Sequence, residues 1–427
     1  FSYVEREGAN LDDFLIITYT RAAASELRGK IAKALTERME RDPGNYHLRQ
    51  QMLRVYRADI KTVDAFCTAL LRENSHLLGE DARGHALRPD FRVLDENEAQ
   101  VLRERVLART LDDFYDCLTP GGTLLADTLG AGRDDSALED LVLELHAKLQ
   151  AQPYEDKWLD AQRAFWRAVP DKIEDTPYGK ILLNEVRRKA RHCKNLLQRA
   201  AQEMCANDAL NQKYAPAFLD ASYQLEALEG KTAEGWDAAR GVTIAFPRLA
   251  AVTDSDGGEM KARMKSLWDN CKETVKGFAE IFSASSDEAV EDLRTMAPAM
   301  LALIDLTADF SRRYNEEKRR RNSADFSDQE HEAIRLLIGE DGAPTELARI
   351  VSARYREIMV DEYQDTNEVQ NRIFDAISCK GENLFTVGDV KQSIYRFRLA
   401  DPRIFLQHYN TWPPLEDAEE HDSAKLL

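Results

Sequence analysis

Two short apolar runs that each end abruptly in polar residues constrain the fold of this chain most strongly. Residues 357–360 run directly into Asp361 and Glu362, and residues 383–387 run into a Gly-Asp pair that ends at Asp389. Short apolar runs of this kind indicate strands that are buried on both faces, as in a parallel sheet. The carboxyl ends of parallel strands lie at one edge of the sheet, and ligands of open α/β sheets bind there. We therefore predict an α/β fold with a polar site at that edge.

Two strand-to-helix units near the start of the chain indicate the same fold class. Residues 14–20 form an apolar, β-branched run that leads into a segment of helix formers beginning at Arg21. Residues 59–63 form a second run, which is followed by a helical pattern over residues 64–71. A strand followed directly by a helix is the repeating unit of a parallel α/β sheet.

The middle of the chain has a different pattern. Residues 73–323 are dense in charged residues, poor in β-branched runs, and helical in the spacing of their apolar residues. A chain of 427 residues is also too long for one compact core. We therefore predict three parts. Residues 1–72 and 324–427 form the sheet-containing domain, and residues 73–323 form a large all-helical insertion that interrupts it.

Charge and cysteine content exclude several classes of protein. The formal net charge of −18 excludes a uniformly basic coat for nucleic acid, although it is compatible with a local basic groove. The 6 cysteines form no C-x-x-C pair, which predicts reduced thiols of a cytoplasmic protein rather than a zinc site, an iron–sulfur site or a disulfide framework. No run of about 18 apolar residues occurs, so we expect no membrane partner.

The acid pair Asp361-Glu362 suits nucleotide chemistry. One carboxylate can hold a Mg²⁺ ion that bridges nucleotide phosphates, and the next can orient or deprotonate a water molecule. Two adjacent acids after a buried strand also fit a solvated turn without a function. The polar continuation over residues 363–367 favours the catalytic interpretation, in which Asp361 and Glu362 are candidate metal ligands.

The second strand end adds groups that suit a phosphate and nucleic-acid bases. Gln392 follows it at a position from which an amide can reach a terminal phosphate, and Tyr395, Phe397 and Arg398 come next. Aromatic side chains stack on single-stranded nucleic acid with about 1–3 kcal/mol per base and without reading its sequence. An alternating edge strand is the structural alternative for residues 395–398. Together the two strand ends predict a nucleotide-driven motor on nucleic acid.

Hydroxyl side chains end the first strand at the same predicted edge. Thr18, Tyr19 and Thr20 precede the helix that begins at Arg21, and the free N–H groups of a helix N-terminus suit phosphate contacts. Thr also caps helices for purely structural reasons, so both interpretations stay open here.

Two basic segments receive structural interpretations. We expect residues 318–321 (Lys-Arg-Arg-Arg) to form a solvated face at the end of a long helix, where the helix dipole favours cations, with contact to a nucleic-acid backbone as the alternative. Residues 230–232 (Gly-Lys-Thr) mimic the end of a phosphate-binding loop, but the motif needs Gly where Leu225 stands. We assign them no role, and we find no phosphate loop elsewhere in the sequence.

Four segments resemble motifs of superfamily 1 helicases of the UvrD/RecB type. Residues 17–28 look like motif Ia, residues 62–67 are similar to motif Ib, residues 360–367 look like motif II and residues 387–402 look like motif III. The form of residues 391–398 is typical of AddA and RecB subunits, and the whole set is most similar to AddA subunits of AddAB helicase–nucleases.

The resemblance implies a P-loop NTPase-like (RecA-like) motor subdomain, 1A, interrupted by a helical subdomain, 1B. It implies ATP and Mg²⁺ as cofactors, with Asp361 carrying Mg²⁺, Glu362 activating water and Gln392 coupling the γ-phosphate to DNA. The residues for which it implies contacts with single-stranded DNA are Thr18, Tyr19, Thr20, Thr62, Phe66, Tyr395, Phe397 and Arg398.

The resemblance also carries expectations about the whole protein. Members translocate 3′ to 5′ on single-stranded DNA and meet duplex DNA, and AddA subunits form a heterodimer with an AddB-like partner in double-strand break repair and recombination. The alternatives are a RecB-like helicase, a nuclease-less UvrD-like helicase and a non-catalytic DNA-scanning subunit. We expect a fragment whose phosphate loop lies upstream of Phe1 and whose second motor domain and nuclease domain follow Leu427, so that this piece alone does not hydrolyse ATP.

Overall fold

The computed structural model describes residues 3–4, 8–80, 84–129, 136–252, 258–378, 381, 383–393, 400–414 and 416. The chain divides into two compact units. The first unit combines residues 1–161 with residues 303–427, and the second consists of residues 162–302.

Six strands occur among the described residues. In chain order they are β1 (Phe14–Thr18), β2 (Asp59–Thr62), β3 (Arg92–Val93), β4 (Ser323–Ala324), β5 (Glu357–Val360) and β6 (Leu384–Thr386). Four of them form a parallel sheet with the order β2-β1-β5-β6, and β3 pairs with β4 in parallel as a separate short ladder.

The described helices alternate with these strands in the first unit and fill the second unit. In chain order they are α1 (Arg21–Arg41), α2 (Tyr46–Arg54), α3 (Val63–Asn74), α4 (Glu96–Asp116), α5 (Pro120–Leu129), α6 (Ser136–Gln150), α7 (Glu155–Arg167), α8 (Pro177–Met204), α9 (Asp208–Lys213), α10 (Ala215–Lys231), α11 (Trp236–Arg240), α12 (Gly258–Ile281), α13 (Ser286–Arg320), α14 (Phe326–Leu337), α15 (Glu346–Arg354), α16 (Glu368–Ile377) and α17 (Pro402–Thr411).

Successive side chains of β1 point to opposite faces of the sheet. Leu15 and Ile17 pack in one core with residues of α3, α14 and α16, whereas Phe14 and Ile16 pack in a second core with residues of α1 and α2. A parallel sheet that is covered on both faces needs apolar side chains at nearly every strand position, which residues 14–17 provide. The sheet is therefore the middle layer of an α/β/α arrangement.

The predicted strands and the helices that follow them are confirmed. The run 14–20 contains β1, the run 59–63 contains β2, and the two late runs contain β5 and β6. Their parallel pairing confirms the predicted α/β sheet. The compact units divide at residues 161/162 and 302/303, whereas the sequence placed the insertion at residues 73–323, so the assignment of that range to one helical subdomain stays a prediction.

The second unit is built from helices wherever the structure describes it, and its core lies between α8, α10 and α12. Leu197 of α8 and Phe218 of α10 are fully buried there, and the ring of Trp268 stacks on Phe218 with centroids 4.8 Å apart. The decoy at residues 230–232 lies at the C-terminal end of α10, where Lys231 pairs with Glu234 at 2.7 Å. Helix and not strand precedes it, which agrees with the absence of a role.

The expected solvated face at residues 318–321 is wrong for its first residue. Lys318 is only 1% exposed, and its ammonium group donates to Asp325 Oδ2 at 2.8 Å and to Asp328 Oδ1 at 2.7 Å. Arg320 is 59% exposed and pairs with Glu317, as a solvated face predicts. The run is therefore divided between a buried ion cluster and the surface.

None of the described helices combines the length and the apolar character that crossing a membrane requires.

Candidate functional site

The register of the parallel sheet brings four strand ends to one edge. Thr18 of β1 lies opposite Thr62 of β2, and Ile17 lies opposite Val360 of β5. Val360 in turn lies opposite Thr386 of β6. The residues that follow these strands therefore emerge side by side, which is the position of the ligand site in open α/β sheets.

The predicted acid pair forms a tight turn directly after β5. The Asp361 N–H donates to the Ile17 carbonyl at 3.0 Å, which continues the ladder by one residue. Glu362 then adopts a left-handed conformation (φ 54°, ψ 40°), and its N–H donates to Asp361 Oδ1 at 3.0 Å. A non-glycine residue in this region costs about 1–3 kcal/mol, and such residues concentrate at functional sites. The turn leaves the Asp361 side chain half-buried and Glu362 exposed.

Gln364 joins the acid turn to the end of β6. Its Nε2 donates to Glu362 Oε2 at 2.6 Å, and its Oε1 accepts the Asp389 N–H at 2.9 Å. The neighbouring Tyr363 N–H donates to the Val387 carbonyl at 2.8 Å. The two strand ends that were predicted to share a site are therefore connected by hydrogen bonds.

Gln392 lies in the short turn that follows β6. Its Nε2 donates to Asp389 Oδ2 at 3.1 Å, and Asp389 Oδ1 accepts the Lys391 N–H at 3.0 Å. The hydrogen bond from the Lys391 N–H is the main cause that lowers the pKa of Asp389, followed by the bond from Gln392. The exposed Gln392 amide is thus held beside a carboxylate that stays ionised at neutral pH.

The donor set suits Mg²⁺ better than a cation that needs an all-protein cage. No cluster of three or more His, Cys, Asp or Glu side chains with metal-binding geometry occurs in the part of the chain that the structure describes. Mg²⁺ typically keeps several waters and is held by one or two carboxylates together with nucleotide phosphates. Asp361 and Glu362 offer such a pair at the sheet edge.

Tyr19 links the end of β1 to the segment after the acid turn. Its hydroxyl shares a hydrogen bond of 2.6 Å with the hydroxyl of Thr366, which is fully buried. Burial raises the pKa of Tyr19 well above its usual value, so the phenol stays protonated. The ring is half-buried, and part of it is accessible at the edge.

The structure corrects the predicted DNA contacts of Thr18, Thr62 and Phe66. These side chains are 1%, 7% and 5% exposed, so none of them can reach a strand of DNA unless the core opens. Phe66 packs in the core between the sheet, α3, α14 and α16. Burial therefore assigns these three side chains to packing and hydrogen bonding within the protein.

The threonine hydroxyls at the strand ends serve the helices that follow. Thr20 Oγ1 accepts the Ala23 N–H at 3.0 Å and caps α1, and Thr62 Oγ1 accepts the Ala65 N–H at 3.2 Å and caps α3. Capping was the structural alternative for the threonines before α1, and it holds for both residues. Thr20 itself is exposed, so its predicted contact with DNA stays a prediction.

Three predicted contact residues, Tyr395, Phe397 and Arg398, lie outside the described residues.

The sequence analysis missed Gln364 and Gly388. A Cβ atom on Gly388 would lie 2.6 Å from Gln364 Oε1 and 3.1 Å from Gln364 N, so only glycine allows the two segments to approach this closely. The available signal was the Gly directly after a strand, which often marks close approach of backbone. The partner of that glycine, 24 positions earlier in the sequence, had no such signal.

Comparison with known proteins agrees with this architecture. The family model described as the UvrD/REP helicase N-terminal domain matches residues 1–413. Proteins named as AddA-type subunits of an ATP-dependent helicase/nuclease, from Ruminiclostridium cellulolyticum and Acetivibrio thermocellus, are 32% and 33% identical to this chain, each over 96% of the chain and 33% of the relative. The protein of the same name from Desulfitobacterium hafniense is 36% identical over 96% of the chain and 30% of the relative. The chain therefore spans about a third of the length of these curated relatives.

Proposed function

The chain belongs to the UvrD/REP helicase N-terminal domain family, and on that premise we propose that the full-length protein hydrolyses ATP to move along single-stranded DNA and to unwind duplex DNA. Its parallel sheet between helical layers is a P-loop NTPase-type fold, as the sequence predicted. In such motors, catalysis depends on the position and charge of groups around the terminal phosphate.

One observation carries this proposal. The acid turn after β5 and the glutamine turn after β6 lie at one sheet edge and are joined through the side chain of Gln364. A solvated acidic turn without a function has no need for a strained Glu362 conformation or for a buried amide that holds its carboxylate.

Each group then has one main role. Asp361 would hold Mg²⁺, which neutralises charge on the phosphates during transfer to water, and Glu362 would support the metal from the adjacent position. Glu362 would also orient the attacking water and accept its proton. Gln392 would contact the γ-phosphate, for which its exposed amide has the required donor.

Contacts with DNA form the second part of the proposal. Tyr19 presents a half-buried ring at the same edge, and Thr20 is exposed beside it. Tyr395, Phe397 and Arg398 would stack on bases and contact phosphates, as the resemblance implies. Stacking contributes about 1–3 kcal/mol per base and tolerates any sequence, which suits a motor that moves along DNA.

The names of the relatives support a wider role. They describe one subunit of a helicase/nuclease, so we propose that this protein also works with an AddB-like partner, carries a nuclease activity and acts in break repair and recombination. The direction of motion, 3′ to 5′, is part of the same proposal.

The test compares two glutamates at opposite ends of β5 in the full-length protein. Glu362→Gln removes the proposed base, whereas Glu357→Gln makes the same change at the amino end of the strand. We expect Glu362→Gln to lower DNA-stimulated kcat at least about 100-fold, as loss of a general base does, and to leave the affinity for single-stranded DNA unchanged. Glu357→Gln should keep the wild-type rate. Equal rates for both variants would overturn the proposal.

A further inference from the structure

Gln364 is a fully buried polar side chain within the acid turn, and it does not belong to the predicted set of site residues. A buried amide must satisfy both its donor and its acceptor, because an unpaired polar group in the interior is costly. The side chain is 0% exposed and meets this need with Glu362 on one side and Asp389 on the other.

The orientation of the amide follows from its partners. The Asp389 backbone offers only an N–H at this contact, so the atom of Gln364 that faces it must be the oxygen. The NH₂ group then faces the Glu362 carboxylate, which accepts hydrogen bonds only. The two contacts therefore agree on one rotamer, and neither requires a choice between oxygen and nitrogen positions.

The contact between Gln364 and the end of β6 has no slack. A methyl group on Gly388 would lie 2.6 Å from Gln364 Oε1 and 3.0 Å from a ring carbon of Phe405. A displacement of the segment after β6 therefore displaces the Gln364 amide, and through it the Glu362 carboxylate.

The same segment holds the amide of Gln392. Asp389 contacts Gln364 through its backbone N–H and Gln392 through Oδ2. The hydrogen-bonded series thus runs from the Gln392 amide to Asp389, to Gln364 and to the carboxylate of Glu362. One end is the proposed contact with the γ-phosphate, and the other is the proposed base.

We propose that Gln364 is a positioning residue that fixes the Glu362 carboxylate and makes its position depend on the turn that carries Gln392. The proposal rests on the function proposed above. When Gln392 moves from Asp389 to a bound nucleotide, the turn shifts and Gln364 sets the carboxylate for attack by water. Gln364 itself does not contact the nucleotide, since it is buried.

Two substitutions in the full-length protein test this role. Gln364→Glu keeps the volume and an acceptor for the Asp389 N–H but replaces the donor to Glu362 with a second carboxylate, and Gln364→Met removes both contacts. We expect kcat for DNA-stimulated ATP hydrolysis to fall on the order of 10-fold in the Met variant and further in the Glu variant, because misplacing a general base forfeits part of its contribution. The KM for ATP should change less than about 2-fold, since binding of the nucleotide is not touched.

A matched control lies six residues further along the chain. Gln370 also donates from Nε2 to a buried glutamate, Glu330 Oε1, at 2.7 Å, but it contacts neither Asp361 nor Glu362 in the described hydrogen bonds. Gln370→Met makes the same kind of lesion, so it should lower thermal stability and leave kcat unchanged. If Gln364→Met does not fold, Gln364→Glu provides the same comparison.

A double-mutant cycle with Gln392→Ala tests the dependence on the turn. If Gln392 acts partly through Gln364, the double variant should lose less in kcat than the product of the two single losses. Additive losses, a rise in KM with unchanged kcat, or equal kcat values for Gln364→Met and Gln370→Met would overturn the inference. Failure of Glu362→Gln to reduce hydrolysis would instead overturn the proposed function.

Discussion

Removal of the buried ammonium group of Lys318 should destabilise the segment where the chain returns to the sheet. Lys318 Nζ lies 2.8 Å from Asp325 Oδ2, 2.7 Å from Asp328 Oδ1 and 4.1 Å from the ring centroid of Tyr314. Asp325 also caps α14 through a reciprocal pair of hydrogen bonds with Asp328. Lys318→Met keeps the apolar stem and leaves two carboxylates without a cation in a site where the lysine is 1% exposed.

The expected loss is large. Removing one partner of a buried ion pair costs about 3–5 kcal/mol, because the remaining charge stays desolvated and unpaired. Each 1.4 kcal/mol is a factor of about ten in an equilibrium constant, so opening of this segment should become roughly 100- to 4,000-fold more frequent. Arg320→Met is the control: Arg320 is 59% exposed, and an exposed pair contributes about 1 kcal/mol at most.

Hydrogen exchange of peptides from the end of α13 and from α14 measures this directly, since exchange by local opening reports its free energy. Lys318→Met should accelerate exchange there by roughly two to three orders of magnitude at pH 8. Similar exchange in Lys318→Met and Arg320→Met would refute the reasoning.

The loss should also depend on pH. Burial and the charge of Asp325 raise the pKa of Asp328 to about 6, although Lys318 opposes both effects. Without the cation, the folded state binds a proton at a pH where the unfolded chain does not, so stability rises as the pH falls. The difference between Lys318→Met and wild type should therefore be smaller at pH 5 than at pH 8. A difference that grows as the pH falls would contradict this assignment.

Two further predictions follow from contacts around the sheet. Gly388→Ala should lower the thermal midpoint by the equivalent of about 1–3 kcal/mol because its Cβ would meet Gln364 Oε1 at 2.6 Å, whereas Gly277→Ala, inside α12 with nothing within 4 Å, should raise it by the equivalent of about 0.5–1 kcal/mol; equal midpoints would contradict the close contact. Burial raises the pKa of Glu330 to about 7, so its contribution to stability is fully present below the pKa of an unfolded glutamate and is lost as the pH rises through 7. Glu330→Gln should abolish that loss in denaturant titrations between pH 5 and pH 8, and an unchanged pH dependence would refute the assignment.

The strands could be predicted from the sequence because their signal is local. A run such as residues 14–17 is apolar at every position, and only a strand covered on both faces of a parallel sheet requires that pattern over so few residues. The direction of the chain then placed Asp361 at the carboxyl edge without further information. Both inferences depend on neighbours in the sequence.

The burial of Phe66 was also within reach of the sequence. Val63, Phe66, Cys67 and Leu70 follow the three/four spacing of one helix face, and all four are buried in α3. The resemblance to motif Ib drew attention to Phe66 as a DNA contact, whereas the spacing already indicated a core residue. The physical pattern was the better guide at this position.

Other features depend on contacts between distant parts of the chain. Lys318 looked solvated because four cations in a row usually are, and nothing in the run indicates that Asp325 and Asp328 fold back onto it. Gln364 looked like one polar residue among several, because its second partner, Asp389, lies 25 positions later. Pairs of this kind follow from the packing of elements and not from their local patterns.

The most direct test of the site is a structure of the full-length protein with Mg²⁺ and a transition-state analogue of ATP such as ADP with aluminium fluoride. We expect the Asp361 carboxylate to hold the metal at about 2.0–2.1 Å or through one of its waters, with Glu362 beside the water in line with the phosphate mimic and the Gln392 amide at that mimic. A nucleotide bound away from the ends of β5 and β6, with Asp361 and Glu362 facing solvent, would contradict the account.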